Sequence, residues 1–131
     1  MVYFGQSQEM SSFIRPKRRP PTEEERKLLE WLLANGSPDA KPYRSQVANV
    51  NVVGGCTCGC PSIDLAPGDR EERKTGPSMV LAEFVGKTPE GIEVVVILHA
   101  REGEISELEV YSMPDVNGPF NLPRIESLEQ Y

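Results

Sequence analysis

The chain has 131 residues, 38% of them hydrophobic and 26% charged, with a formal net charge of −6. That is about one domain's worth of soluble, globular composition. The longest apolar run, Val94-Val95-Val96-Ile97-Leu98, falls far short of the roughly 20 residues a bilayer span needs, so no membrane association is expected.

Charge is uneven along the chain. Residues 1–21 hold Arg15, Lys17, Arg18 and Arg19 against Glu9, which leaves that segment about +3 and the remainder about −9. An acidic body repels phosphate backbones, so no nucleic-acid partner is expected for the folded domain. The Arg15-Pro16-Lys17-Arg18-Arg19 cluster reads as a solvated basic tail able to dock on its own acidic domain. The N-terminus lacks the charged head and the apolar stretch of about 7–15 residues that mark a secretory signal. A cytoplasmic location is therefore expected, with the three cysteines reduced. Their odd number also argues against a simple disulfide framework. Residues 1–21 are expected to form an irregular basic segment and residues 22–131 a single domain.

Pro20-Pro21-Thr22-Glu23-Glu24-Glu25 predicts a helix start. Thr22 can cap free N–H groups, Glu25 three residues later completes a capping box, and the carboxylates face the positive end of the helix dipole. Leu28, Leu29, Leu32 and Leu33 form one apolar stripe with Trp31 at its edge. Asn35-Gly36 followed by Pro38 ends the helix. After Pro42 the pattern changes to alternation, and Val47, Ala48, Val50, Val52 and Val53 predict a strand ending at Gly54-Gly55. Ile63-Asp64-Leu65 predicts a second, short one. Pro67 to Pro77, with the charged run Asp69-Arg70-Glu71-Glu72-Arg73, reads as a surface loop. Three better strands follow over 79–85, 92–100 and 105–112, the middle one apolar enough to be central. The third alternates Ser106, Leu108 and Val110 with Glu107, Glu109 and Tyr111, as a half-exposed antiparallel strand should. The tail carries Pro114, Pro119 and Pro123 and is expected to wrap the sheet through Phe120, Leu122, Ile125 and Leu128. Connections this short suit hairpins rather than crossover helices. The expected fold is thus α+β: one N-terminal helix packed on a mostly antiparallel sheet of about five strands, with a proline-rich wrapping C-terminal tail.

Unusual chemistry is concentrated in Gly54-Gly55-Cys56-Thr57-Cys58-Gly59-Cys60-Pro61, which holds all three cysteines of the protein. On a flat strand, successive same-face side chains stand about 6.5–7 Å apart. Sulfurs bound to one zinc ion, each about 2.3 Å from it, lie only roughly 3.8 Å from one another. Chelation therefore requires a bend, and the glycines permit one. The only histidine, His99, is the candidate fourth ligand, which makes Cys56, Cys58, Cys60 and His99 a possible zinc site. The C-x-C-x-C spacing matches none of the common C-x₂-C zinc frameworks. Cys58-Gly59-Cys60 could instead close a strained, exchange-active disulfide. The plainest alternative is that the cysteines pack as small hydrophobes at a crowded sheet edge.

Other residues offer less. His99 as a catalytic base would need Glu83, Glu109 or Cys58 in reach, and the competing reading is a structural hydrogen bond at a strand end. Strand carboxylates Asp64, Glu83, Glu93, Glu107 and Glu109 read as the solvated side of the sheet, with Arg101 and Lys87 as partners. No nucleophile elbow, P-loop or dinucleotide fingerprint is present. Tyr111, Asp115, Asn117 and Phe120, around the turn-rich exit of the last strand, are the candidate contacts for a protein partner.

The helix Glu24-Glu25-Arg26-Lys27-Leu28-Leu29-Glu30-Trp31-Leu32-Leu33, the Cys56-to-Leu65 segment and the closing Leu108-Glu109-Val110-Tyr111-Ser112 carry a resemblance. So do Asn117-Gly118 and Leu122-Pro123. Together they are similar to a family of small, uncharacterised bacterial proteins with a CxCGCPSIDL-type segment. The resemblance implies bacterial origin and a compact domain, and transfers no catalytic residue. The resulting expectation is a non-enzymatic protein-binding module of inhibitor or immunity type. The alternative is a thiol-based metal-binding or redox protein built on Cys56, Cys58 and Cys60.

Overall fold

The computed structural model describes residues 18–114, 116 and 118–131. The expected capping box is present at the start of helix α1 (Glu23–Asn35). The Thr22 hydroxyl accepts the Glu25 N–H at 3.1 Å, and the Glu25 carboxylate accepts the Thr22 N–H at 2.8 Å. The same carboxylate is buried and takes a two-pronged grip from Arg19, at 2.9 and 3.0 Å. Arg19 also pairs through its backbone with Val52, giving and receiving a hydrogen bond. Arg18 donates to the Asp69 carbonyl at 2.6 Å. The end of the basic segment is thus tied down on the acidic domain.

Leu28, Leu29, Leu32 and Leu33 are all buried, and each such side chain contributes roughly 1.5–3 kcal/mol relative to exposure. Trp31 meets Phe84 edge to face, with ring centroids 4.9 Å apart at 72°. Gly36 closes the helix because a β-carbon there would run into the Leu81 carbonyl oxygen and come within 2.8 Å of the Leu32 carbonyl oxygen. Ser37 N–H then bonds to that Leu81 carbonyl at 2.9 Å.

The segment read as a linker and the start of a strand is instead a 3₁₀ helix, Pro38–Asn49. A 3₁₀ helix repeats every three residues, and Ala40, Tyr43 and Gln46 fall at that spacing, with Ala40 and Val47 buried and Tyr43 packed on the core. Val47 and Val50, three apart, fit this period, whereas Ala48, Val50 and Val52 fit a strand's period of two. Gln46 clamps the segment to a distant hairpin, donating to Gly103 O and accepting from Ile105 N–H, both at 2.9 Å.

Six strands follow: β1 (Val50–Gly55), β2 (Ile63–Pro67), β3 (Met79–Lys87), β4 (Glu93–Arg101), β5 (Glu104–Ser112) and β6 (Glu129–Gln130). They form one antiparallel sheet in the order β1-β2-β5-β4-β3-β6. The sixth strand is the difference from the expected five. It arises because the tail, after a 3₁₀ turn at Ile125–Ser127, adds itself to the edge of β3 opposite Phe84 and Val85. Gly86 makes room for this, since a β-carbon there would lie 2.8 Å from Leu128 Cδ2. Leu122 is buried, and Phe120, Ile125 and Leu128 pack against the core, so the tail wraps the sheet.

One face of the sheet carries Val50, Val52, Ile63, Leu65, Leu108, Val110, Val94, Val96, Leu98 and Phe84 into the core with α1. The reverse face alternates polar groups along the same strands. There the charged surface loop 68–78, exposed along most of its length, is fastened by ion pairs. Arg73 meets Asp64 at 3.2 Å, Arg70 meets Glu104 at 3.3 Å and Lys74 meets Glu102 at 3.5 Å. Arg101 closes the arrangement, donating to Gly76 O at 3.1 Å and meeting Glu107 at 3.2 Å. No helix among the described residues is long and apolar enough to cross a membrane.

Candidate metal centre

β1 and β2 pair antiparallel with Gly55 opposite Ile63, so residues 56–62 form the loop that joins them at one end of the sheet. Two features shape it. Gly59 has φ of +99°, in the region that side-chain-bearing residues avoid, and a β-carbon there would lie 3.1 Å from Pro119 Cα. Ser62 stands in for a ladder residue against β5, accepting from Val110 N–H at 2.8 Å and donating to Val110 O at 3.1 Å. The loop is therefore pinned to the neighbouring strand just after the last cysteine and seated against the C-terminal tail at Gly59.

The bend gathers the thiols. All three Sγ atoms lie within 4.8 Å of one another, well inside the spacing a flat strand would impose. Backbone N–H groups point at two of them: Cys58 N–H donates to Cys56 Sγ and Cys60 N–H to Cys58 Sγ, both at 3.4 Å. All three are free; Cys56 and Cys58 are exposed and Cys60 is half-buried.

The cluster loses its protons in steps. Burial pushes the Cys60 thiol up, but hydrogen bonds from Ser62, Cys56 and Cys58 outweigh it and bring the group down to about 7. The Cys56 thiol, bonded to its Cys58 and Cys60 neighbours, is pushed up to about 11. A cation placed among the three would remove this conflict by favouring every thiolate at once.

His99 does not join the group. It sits on β4 opposite Glu107, and both ring nitrogens are engaged elsewhere, Nδ1 with Ser78 Oγ at 2.5 Å and Nε2 with Glu109 Oε1 at 2.9 Å. The expected four-ligand set is thus reduced to three, because the strand register turns the ring towards β5 and the start of β3. Glu109 was among the partners anticipated for His99; Ser78 was not, since nothing in sequence spacing brings a loop serine to that ring.

The candidate partner-binding residues separate. Tyr111 is 41% exposed on the reverse face, and its hydroxyl is pushed up by partial desolvation and by Tyr131, Glu109 and Glu83 nearby. Phe120 packs against the core. Asp115 and Asn117 lie outside the described residues. Sequence reasoning missed Ser62, whose only signal was a small polar residue at the start of a strand.

Comparison with protein-family models, with curated proteins and with solved structures finds no match.

Proposed function

We propose that the protein is a thiolate metal-binding module that holds one soft d¹⁰ ion, zinc(II) or monovalent copper, in the 56–60 loop. The observation that carries this is the convergence of three sulfurs within 4.8 Å at a single bend. Thiolates are soft donors and select such ions over hard ones. A disulfide would use two of the three sulfurs and leave the third without a role, whereas an ion uses all of them. Zinc would take three positions from Cys56, Cys58 and Cys60 and keep a fourth for water or an outside ligand.

The test is metal analysis and thiol counting on protein purified anaerobically without chelator. One ion per chain, with thiols that react only after chelation, supports the site. Metal-free protein that fails to take up either ion, with freely reacting thiols, removes it.

A second reading, a protein-binding module of inhibitor or immunity type, is favoured by a separate observation. Tyr111, Met113 and Tyr131 expose 41%, 46% and 70% of their surface, and Tyr131 lies near enough to Tyr111 to help push its hydroxyl up. Pull-down with the native chain against a Tyr111→Ala, Tyr131→Ala variant tests it. A partner retained equally by both counts against this surface.

A further inference from the structure

Resting on the reading of the cysteine loop as a metal site, we infer that its ion is monovalent copper, held by the three thiolates alone and passed on by exchange to the thiols of an acceptor protein. Donor number comes first. Structural zinc sites are closed by four protein ligands, and open zinc sites keep a water for activation. Among the described residues the convergent set is three thiols and nothing else. His99 is occupied by Ser78 and Glu109, and the Asp64 carboxylate is paired with Arg73 at 3.2 Å. Monovalent copper is soft, carries a filled d shell and is satisfied by three thiolates.

Shape agrees with number. With metal–sulfur bonds of about 2.3 Å, a planar three-coordinate ion sets its sulfurs roughly 4.0 Å apart, against about 3.8 Å for a tetrahedral one. Sulfurs that lie within 4.8 Å of one another admit that planar arrangement. Three thiolates around a monovalent ion keep a net negative charge, and the N–H groups of Cys58 and Cys60 aimed at sulfur offset part of it.

Exposure supplies the route out. A structural ion is enclosed, but Cys56 and Cys58 are exposed residues, so an incoming thiolate can bind the ion before any bond to this protein breaks. Copper stays monovalent throughout. Each new acceptor S–Cu bond releases the acceptor's proton, each broken one leaves a thiolate that takes a proton up, and no electrons move.

The experiment loads the full chain anaerobically with one equivalent of copper(I), supplied as its acetonitrile complex, and records X-ray absorption. The expected shell is three sulfurs without nitrogen or oxygen, falling to two sulfurs in Cys58→Ser, whose site is exposed and whose folding is not at stake. Removal by bathocuproine disulfonate, an anionic copper(I) chelator, should then speed up in proportion to chelator concentration. A mixed shell, a rate independent of chelator, or retention of one zinc ion against an equivalent of copper(I) overturns the inference and leaves the metal site standing. Failure to bind either ion overturns both.

Discussion

Cys60 is where the chemistry of the cluster starts, because it alone combines partial burial with hydrogen bonds that favour its thiolate. Ser62 is one source of those bonds, and it is also the residue that pins the loop to Val110. In the metal-free protein, iodoacetamide should therefore modify Cys60 first, with a rate rising through a midpoint near pH 7, while Cys56, held up to about 11, stays nearly silent at neutral pH. Peptide mapping of partly alkylated protein checks this, and Cys56 reacting first would reverse the assignment. Glu25 gives a second test at this scale. Burial raises its pKa, but the Arg19 guanidinium and the Thr22 N–H outweigh burial and hold the carboxyl below its ordinary value. A depressed carboxyl stabilises the fold above the unfolded value of about 4.3, and that contribution is lost as pH falls through the folded pKa. Arg19 is 44% exposed on its side chain, so solvent screens the pair and Glu25→Gln should cost only about 1 kcal/mol at pH 7. In urea unfolding the difference should shrink as pH falls below the unfolded value of about 4.3; an undiminished gap would place the effect in packing rather than charge.

At the scale of elements, two glycines do different work, and substituting each by alanine should separate fold from site. Gly36→Ala forces a β-carbon against the Leu81 backbone, where the helix end meets β3, and overpacking of this kind costs about 1–3 kcal/mol. Gly59→Ala meets a positive φ and the Pro119 backbone, a strain of about 1–2 kcal/mol that the loop can relieve by opening. Thermal unfolding should show a clear loss for Gly36→Ala with metal stoichiometry intact. Gly59→Ala should keep most of its stability and lose metal affinity. Equal losses of affinity in both would mean that the loop geometry is not what creates the site. The same contrast explains what the sequence made legible. The capped helix and the three long strands rest on local periodicity and turn chemistry, and these were readable. The 3₁₀ helix Pro38–Asn49 was not, because the spacing of three from Val47 and the spacing of two towards Val52 meet at Val50. Strand β6 was not, because two residues of edge pairing depend on Gly86 accepting the tail. The cysteines announced a bend, but the separation of His99 from them follows from strand register, which no local pattern encodes.

For the molecule as a whole, the decisive feature is that its three clustered cysteines are neighbours in sequence while its core is not. Leu28–Leu33, β3, β4 and β5 bury each other without any contribution from residues 56–60. A zinc finger joins ligands from distant segments, so its ion cannot be held by the unfolded chain and binding energy becomes folding energy. Here three cysteines within five residues remain close together after unfolding, and the unfolded chain competes for the ion. Linkage then yields only the ratio of the two affinities, not the full gain of about 2.7 kcal/mol that an ion at a hundred times its dissociation constant would give if the unfolded state did not bind. If the folded loop, with Gly59 and Ser62 already in place, improves affinity by about tenfold, the gain is about 1.4 kcal/mol and the melting temperature rises by only a few degrees. Calorimetry of metal-loaded and chelator-treated protein should accordingly show two cooperative transitions close together, and a Cys56→Ser, Cys58→Ser, Cys60→Ser variant should melt near the chelated protein. Collapse of the chelated form to an unfolded chain would instead make the ion a structural staple and the open, exchangeable site untenable. If the domain stands without an ion, it is free to give one away.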